Sequence, residues 1–114
     1  MRQAIKVFKA LSDRTRLRIL KMLEIKPLCV CEITEVLQLA NSTVSRHLSI
    51  LRDAELIIDE KEGKWVIYQL KTIKPSVYVD QIKPILELWL STDETVVTDQ
   101  ERVRTVDRKV LCGS

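Results

Sequence analysis

The chain has 114 residues, of which 46% are apolar and 31% are charged, with only two glycines and three prolines. This composition fits a single, mainly helical domain and excludes low-complexity and repeat architectures. The net charge of +3, from 19 basic and 16 acidic side chains, is a weak indication of a polyanionic partner. Three cysteines, an odd number, argue against a disulfide framework and favour thiols or metal ligands in a reducing compartment.

The N-terminal segment carries no pattern for export or membrane insertion. Arg2, Lys6 and Lys9 interrupt the apolar residues of "MRQAIKVFKAL", so we expect neither a signal peptide nor a membrane span. Residues 1–26 carry eight basic and two acidic side chains, whereas residues 40–64 carry four basic and five acidic ones. We therefore expect a cytoplasmic protein without a membrane partner, and charge alone does not point to nucleic acid.

Four helices are predicted in the first half of the chain. Apolar residues at helical spacing predict the first over residues 4–11, and Ser12 is the expected N-cap of the second. A third helix is predicted over residues 29–38 with Ile33, Val36 and Leu37 on its inner face, and a fourth over residues 43–54 with Ser42 as its cap. The last two are joined by a short polar turn, so together they predict a helix-turn-helix motif.

The second half of the chain begins with a change from helical to strand-like spacing of the apolar residues. Two β-rich runs, residues 56–58 and 65–70, flank a turn at Gly63 and predict a hairpin. Helical spacing then resumes, and the helix should begin near Asp80 because Pro84 is tolerated only close to a helix start. A helix-turn-helix followed by a hairpin is the order of a winged helix, so the predicted fold class is mainly α with a small β-hairpin.

The last segment of the chain is predicted to be a tail with a short helix. It contains two capping-box patterns, Ser91 with Glu94 and Thr98 with Glu101. Its valines form only a thin apolar stripe, which is enough for a docked helix but not for an independent one.

The fourth predicted helix has two different faces. At about 100° per residue, Val44, Leu48 and Leu51 share its inner face. Small hydroxyls around one arginine occupy the opposite face: Ser42, Ser45, Arg46 and Ser49. Such a face suits a DNA major groove, where hydroxyls bond phosphates and arginine can donate a bidentate pair to guanine, but it also suits simple solvation. His47 falls at the margin of the inner face, where packing or a phosphate contact is expected.

Four segments of the chain resemble the ArsR/SmtB family of bacterial winged-helix repressors. They are "FKALSDRTRLRILKML", "LCVCE", "STVSRHLSILRDAELI" and "EGKWVIYQL", in the family's order and spacing, and the resemblance covers roughly residues 4–90. It implies a homodimer whose paired recognition helices read a twofold operator, with half-sites about 34 Å apart. We accordingly expect a DNA-binding and dimerisation domain over residues 1–90 and a C-terminal tail or short helix over residues 91–114.

The resemblance also assigns residues to both interfaces. The expected dimer contacts come from the first and last helices of the domain and are Ile5, Phe8, Ile85 and Trp89. The expected DNA contacts lie on the fourth helix and the wing and are Ser42, Thr43, Ser45, Arg46, His47, Ser49, Lys61 and Lys64.

The segment "LCVCE" resembles the family's site for arsenic, cadmium and lead. By position, Cys29 and Cys31 would be soft ligands for a thiophilic ion, and the nearby helix N-terminus should favour their thiolate forms. On a regular helix their side chains point about 200° apart, so ligation would require a distorted first turn. Many arsenic sensors of the family carry a third cysteine where this chain has Thr34. Cys112 is therefore either the third ligand or an incidental terminal cysteine.

Two or three thiolates without histidine fit As(III) or Sb(III) best, with Cd(II) or Pb(II) as the second choice. The expected function is a repressor that leaves its operator when the ion binds. Two alternatives stay open, namely a thiol-redox sensor that links Cys31 to Cys112 and a winged-helix module for protein contacts. An enzyme is not expected, because the single histidine has no paired nucleophile and no phosphate-binding glycine loop exists.

Overall fold

The computed structural model describes residues 1–71 and 77–111 of the chain. Within those ranges the chain forms seven helices and three strands. In chain order they are α1 (Arg2–Leu11), α2 (Arg14–Leu23), β1 (Leu28–Cys29), α3 (Val30–Leu37), α4 (Asn41–Asp53), β2 (Ile57–Glu62), β3 (Trp65–Leu70), α5 (Val77–Leu90), α6 (Glu94–Thr105) and α7 (Arg108–Leu111).

The core lies between the helix-turn-helix and the helices around it. The predicted inner faces are confirmed, since Ile33 and Val36 of α3 and Val44, Leu48 and Leu51 of α4 are at most 1% exposed. These side chains pack in one cluster with apolar residues of α1, α2, α5 and α6. The winged helix-turn-helix architecture predicted from the sequence is therefore confirmed.

The wing is a three-stranded antiparallel sheet in the order β1, β3, β2. The hairpin of β2 and β3 turns at Gly63, whose φ of 62° suits a residue without a Cβ. The sequence did not predict β1, a two-residue strand that pairs Leu28 with Tyr68 and Cys29 with Ile67. This pairing attaches the cysteine segment directly to the wing.

Several predicted helix starts are wrong. Asp13, not Ser12, caps α2 by accepting a hydrogen bond from the backbone N–H of Arg16, while the Ser12 hydroxyl donates to the Phe8 carbonyl at the end of α1. In the same way, Asp93 caps α6 in place of the predicted boxes, because its carboxylate accepts from the Val96 N–H.

Two other helices begin earlier than predicted. The helix α4 begins at Asn41, with Ala40 as its cap, so Ser42 is already inside the helix. The helix α5 is described from Val77 and contains Pro84 in its interior. Pro84 removes the N–H that would bond the Asp80 carbonyl, but both residues are exposed, so water can satisfy that carbonyl.

The C-terminal helix α6 packs against α2 through both apolar and polar contacts. Val103 is fully buried, and Asp99, 2% exposed, accepts two hydrogen bonds from the Arg18 guanidinium at 2.7 and 2.9 Å. The amide of Gln100 also donates to the Lys21 carbonyl at 2.9 Å. A docked helix is thus present after residue 90, while the proposed division of the chain into residues 1–90 and 91–114 stays a prediction.

Candidate thiol site and DNA interface

The two cysteines of "LCVCE" lie side by side at the start of α3. Cys29 is the residue before the helix and has extended backbone angles, φ −90° and ψ 168°, whereas Cys31 lies in the first turn. Their Sγ atoms are 2.8 Å apart. The expectation that helical geometry points the two side chains apart is wrong. Cys29 belongs to β1, so its side-chain direction is not set by the helix.

A reciprocal cap holds Cys29 and Glu32 together. The Cys29 sulfur takes the place of the usual serine or threonine oxygen and accepts from the backbone N–H of Glu32. In return, Oε1 of Glu32 accepts from the backbone N–H of Cys29 at 2.9 Å. This role of Glu32 was not predicted from the sequence. Its signal was the spacing Cys29-x-x-Glu32, which is that of a capping box with a thiol at the cap.

The environment of Cys29 opposes ionisation. Burial raises the pKa of its thiol, and the negative charge of Glu32 acts in the same direction, although the backbone N–H groups of Glu32 and Cys31 act against it. Cys29 is 2% exposed, so desolvation outweighs the favourable helix dipole. The expected thiolate form is therefore not supported at Cys29.

Glu32 is itself a buried carboxylate, with 1% of its surface exposed. Besides the cap hydrogen bond, its Oε1 lies 3.5 Å from Nε of Arg108, a residue of α7. The guanidinium carbon of Arg108 lies 5.8 Å from the ring centre of Trp65, the first residue of β3. No local sequence signal pointed to Arg108, since it is distant from both partners along the chain.

The cysteine pair supplies two candidate ligands, Cys29 as a thiol and Cys31 once the disulfide bond in which it takes part in this structure is reduced. In the part of the chain that the structure describes, no group of three or more His, Cys, Asp or Glu side chains is placed to hold a metal ion. The hydroxyl of Thr34, at the position of the family's third cysteine, donates to the Cys31 carbonyl at 2.9 Å. Cys112 lies outside the described residues and directly follows Leu111, the end of α7.

The side chains expected to contact DNA lie mainly on the surface of α4. Ser42, Ser45, Arg46 and Ser49 are exposed, and Thr43 is half-buried. His47 is also half-buried, because it packs against the start of α2, where its Nδ1 lies 3.1 Å from Nη1 of Arg16. The hydroxyl and arginine face is therefore accessible, whereas His47 is at least partly a packing residue.

Arg16 connects three elements and was not identified from the sequence. Its guanidinium donates to the Ala10 carbonyl at 2.8 Å and the Lys9 carbonyl at 3.2 Å, which end α1, and to Nδ1 of His47 on α4. A guanidinium can only donate, so Nδ1 of a neutral His47 must accept and Nε2 must carry the proton. Arg16 thereby fixes both the position of α4 and the tautomer of His47.

Asp13 completes this cluster. Burial alone would raise the pKa of its carboxyl group, but the backbone N–H and the charge of Arg16, together with His47, lower it below its ordinary value. The carboxylate therefore stays ionised at neutral pH, where it caps α2 and faces both basic side chains.

The wing presents both lysines that were expected to contact DNA. Lys61 and Lys64 are exposed, and Nζ of Lys64 lies 5.2 Å from the ring centre of Trp65. One of the nearby acidic side chains, Glu55, pairs at 3.1 Å with Lys71, which lies outside residues 40–64. The acidic balance of residues 40–64 therefore overstates the negative charge that DNA would meet.

The side chains expected at a dimer interface are exposed on α1 and α5. Ile5 is 46% exposed, Phe8 71%, Ile85 44% and Trp89 72%. Phe8 of α1 and Ile85 and Trp89 of α5 line an apolar groove of about 510 Å³ between the two helices. Leu88, which the sequence analysis did not include, is 80% exposed. So large an apolar surface is unusual for an isolated small domain.

Comparisons with known proteins agree with this architecture. The family model described as "Bacterial regulatory protein, arsR family" matches residues 13–59. The arsenical resistance operon repressor of Escherichia coli (strain K12) is 39% identical over 110 residues, which cover 96% of this chain and 89% of that protein.

Two solved structures are also similar. HlyU from Vibrio cholerae N16961 superposes with a TM-score of 0.66 at 32% identity, over 76% of this chain and 91% of that one. The cadmium metal-sensor CMTR from Mycobacterium tuberculosis superposes with a TM-score of 0.58 at 30% identity, over 77% and 84%.

The helix-turn-helix, the wing and the exposed face of α4 define a winged-helix regulator of the DNA-binding class. The chain belongs to the ArsR family and is a DNA-binding transcriptional regulator of that family. Among the described residues, no helix is both long and apolar enough to cross a lipid bilayer.

Replacing Arg16 should weaken DNA binding without removing any side chain from the exposed face of α4. We expect Arg16→Lys to bind an operator, selected from random duplexes, about tenfold more weakly, because lysine keeps the charge but lacks the planar fork whose three nitrogens reach the three separate acceptors. Fluorescence anisotropy measures the affinity, and Arg14→Ala removes a nearby exposed arginine as the control. Affinity unchanged in Arg16→Lys would contradict the positioning role.

Proposed function

We propose that this protein is a transcriptional repressor that binds a twofold operator as a homodimer and is released when As(III) binds to cysteine thiolates. The observation that carries the proposal is the 2.8 Å separation of the Cys29 and Cys31 sulfurs at the start of α3. This helix packs against α4, which carries the exposed arginine and hydroxyls. A ligand at the pair therefore acts on the element that supports the DNA-reading helix.

The donor set favours a trivalent metalloid. Two sulfurs bound to one ion lie roughly 3 to 4 Å apart, since metal–sulfur bonds are about 2.3 Å, so the pair needs to open only slightly. Arsenous acid exchanges each hydroxide for one thiol, and the thiol proton leaves with that hydroxide as water. Sb(III) reacts in the same way. Cd(II) and Pb(II) are the second candidates, supported by the similarity to the cadmium sensor.

Cys112 of the same chain is the proposed third ligand. The ion pair of Arg108 with Glu32 holds α7 against the helix that begins with the cysteine pair. Leu111 ends α7, and Cys112 is the next residue in the sequence. Three thiolates would then satisfy a pyramidal As(III) centre.

Counting thiols tests the ligand set. We expect arsenite to consume three thiols per metalloid in the reduced intact protein but only two in Cys112→Ser, with a loss of arsenite affinity. Adding Thr34→Cys to Cys112→Ser should restore three, because Thr34 lies one turn after Cys31 on α3. Thiol titration and mass spectrometry measure both numbers.

The outcomes separate the alternatives. Two thiols consumed in the intact protein would exclude Cys112 as a ligand, and an operator affinity insensitive to arsenite would remove metalloid sensing altogether. If peroxide rather than arsenite releases the operator and links Cys31 to Cys112, the protein is a redox sensor instead. Cd(II) and Pb(II) titrations under the same conditions decide which ion is preferred.

Arg46 is the proposed base-reading side chain. Arg46→Ala should cost about 1 to 3 kcal/mol of operator affinity and relax the preference at one base pair of each half-site, because a bidentate contact to guanine is lost. Arg52→Ala, on the same helix but paired with Asp59, is the matched control. Repeated selection from random duplexes measures the preference, and an unchanged consensus would contradict this assignment.

A second copy of the chain is the proposed partner of the apolar surface on α1 and α5. We expect Phe8→Glu and Trp89→Glu each to produce monomers with weak operator binding, since the charge prevents burial of this surface. Val97→Glu changes an exposed apolar residue of α6 and should leave the dimer intact. Analytical ultracentrifugation measures the mass. A dimer that persists in both interface variants would place the interface elsewhere.

A further inference from the structure

Arg108 lies between two parts of the molecule that have different proposed roles. Its Nε is 3.5 Å from Oε1 of Glu32, and its guanidinium carbon is 5.8 Å from the ring centre of Trp65. Glu32 caps the helix that starts with the cysteine pair, whereas Trp65 opens the wing strand β3. The Arg108 side chain is 23% exposed, so solvent only partly screens these contacts.

A second connection joins the same two regions through the backbone. Cys29 pairs with Ile67 in the β1 and β3 ladder. Trp65 lies two residues before Ile67 and therefore on the same face of the sheet. Lys64, an exposed wing residue proposed to contact phosphate, lies over the same indole ring at 5.2 Å. A continuous series of contacts thus runs from Glu32 through Arg108 and Trp65 to Lys64.

We propose that Arg108 is a positioning residue that couples ligand binding at the cysteine pair to the wing. The inference rests on the proposed function and adds a second route by which the ligand acts on DNA binding, besides the contact of α3 with α4. When the cysteines close on an ion, the first turn of α3 shifts and the Glu32 carboxylate shifts with it. Arg108 follows this buried charge, because separating the pair would leave the carboxylate without its cation.

The movement of Arg108 displaces Trp65 and with it Lys64. Cation and ring attract one another through the ring quadrupole, so the indole follows the guanidinium and carries the start of β3 with it. Without Arg108 the wing keeps its position whether or not the ion is bound. The same arginine also holds α7 against the start of α3.

The test compares Arg108→Ala and Arg108→Lys with the intact protein, and uses Arg104→Ala, on the exposed side of α6, as the control. Operator affinity is measured with and without arsenite, together with tryptophan emission. Trp65→Phe identifies the part of the emission that comes from Trp65 rather than Trp89. Urea unfolding establishes that each variant is folded.

We expect Arg108→Ala to bind the operator within about twofold of the intact protein when arsenite is absent. It should need about tenfold more arsenite for release from the operator. It should also lose the change in Trp65 emission that we expect arsenite to cause in the intact protein. Arg108→Lys should fall between the two, because it keeps the charge but not the planar fork. Arg104→Ala should behave as the intact protein.

Failure of the proposed function and failure of the coupling role give different results. If the intact protein keeps its operator in the presence of arsenite, the proposed function is wrong. If the intact protein responds and Arg108→Ala responds identically, the coupling role is overturned while the proposed function stands. Loss of operator binding by folded Arg108→Ala without arsenite also overturns it, because the role of Arg108 would then lie in DNA binding.

Discussion

One oxygen of a buried carboxylate organises the candidate thiol site. Oε1 of Glu32 accepts the N–H of Cys29 and faces Arg108 at 3.5 Å. A carboxylate that is 1% exposed is unfavourable unless it is hydrogen-bonded and paired, so its partners must stay in place. The N–H contact fixes where α3 begins, and pairing with Ile67 keeps Cys29 extended, so that its sulfur lies beside that of Cys31. The contact with Arg108 holds α7 against the start of α3.

The helix α4, the proposed recognition helix, is held from two sides. Its apolar face is fully buried at Val44, Leu48 and Leu51, and α3 contributes to the same cluster. On the other side, Arg16 ties His47 to the end of α1. Close-packed interiors transmit displacements instead of absorbing them, so a shift of α3 moves α4 as a body. Since α1 is part of the proposed dimer interface, the spacing between paired recognition helices depends on the same contacts.

The sequence predicted what depends on local pattern and missed what depends on distant partners. Apolar spacing located the inner faces of α3 and α4 correctly because burial imposes that spacing on every helix. The N-cap of α2 was predicted wrongly, because Ser12 and Asp13 both have side chains that can cap a helix. Only the path of α1 determines that Ser12 ends the first helix and Asp13 begins the second.

The error at Cys29 has a long-range cause. Its extended backbone follows from pairing with Ile67, a residue of the distant strand β3, so a helical wheel drawn through Cys29 and Cys31 does not apply. Arg108 and Glu32 are even farther apart along the chain, and no repeating sequence pattern connects them. Sequence pattern could place Cys29 and Cys31 near the start of α3, Arg46 on the exposed face of α4 and the apolar surface on α1 and α5. The partners of Glu32 and Arg16 required the folded chain.

Typical magnitudes indicate that the proposed release from DNA would not require a large rearrangement. Allosteric coupling between two sites is typically 1 to 3 kcal/mol, and one hydrogen bond to a charged group contributes about 1.5 to 3 kcal/mol. Weakening the contact of Glu32 with Cys29 or with Arg108 in one state only would therefore change operator affinity about tenfold or more. Linkage makes this effect reciprocal, so operator DNA must weaken ligand binding by the same factor. A cap of two side chains and one arginine is thus sufficient, in energy, to connect the cysteine pair to the DNA-binding surface.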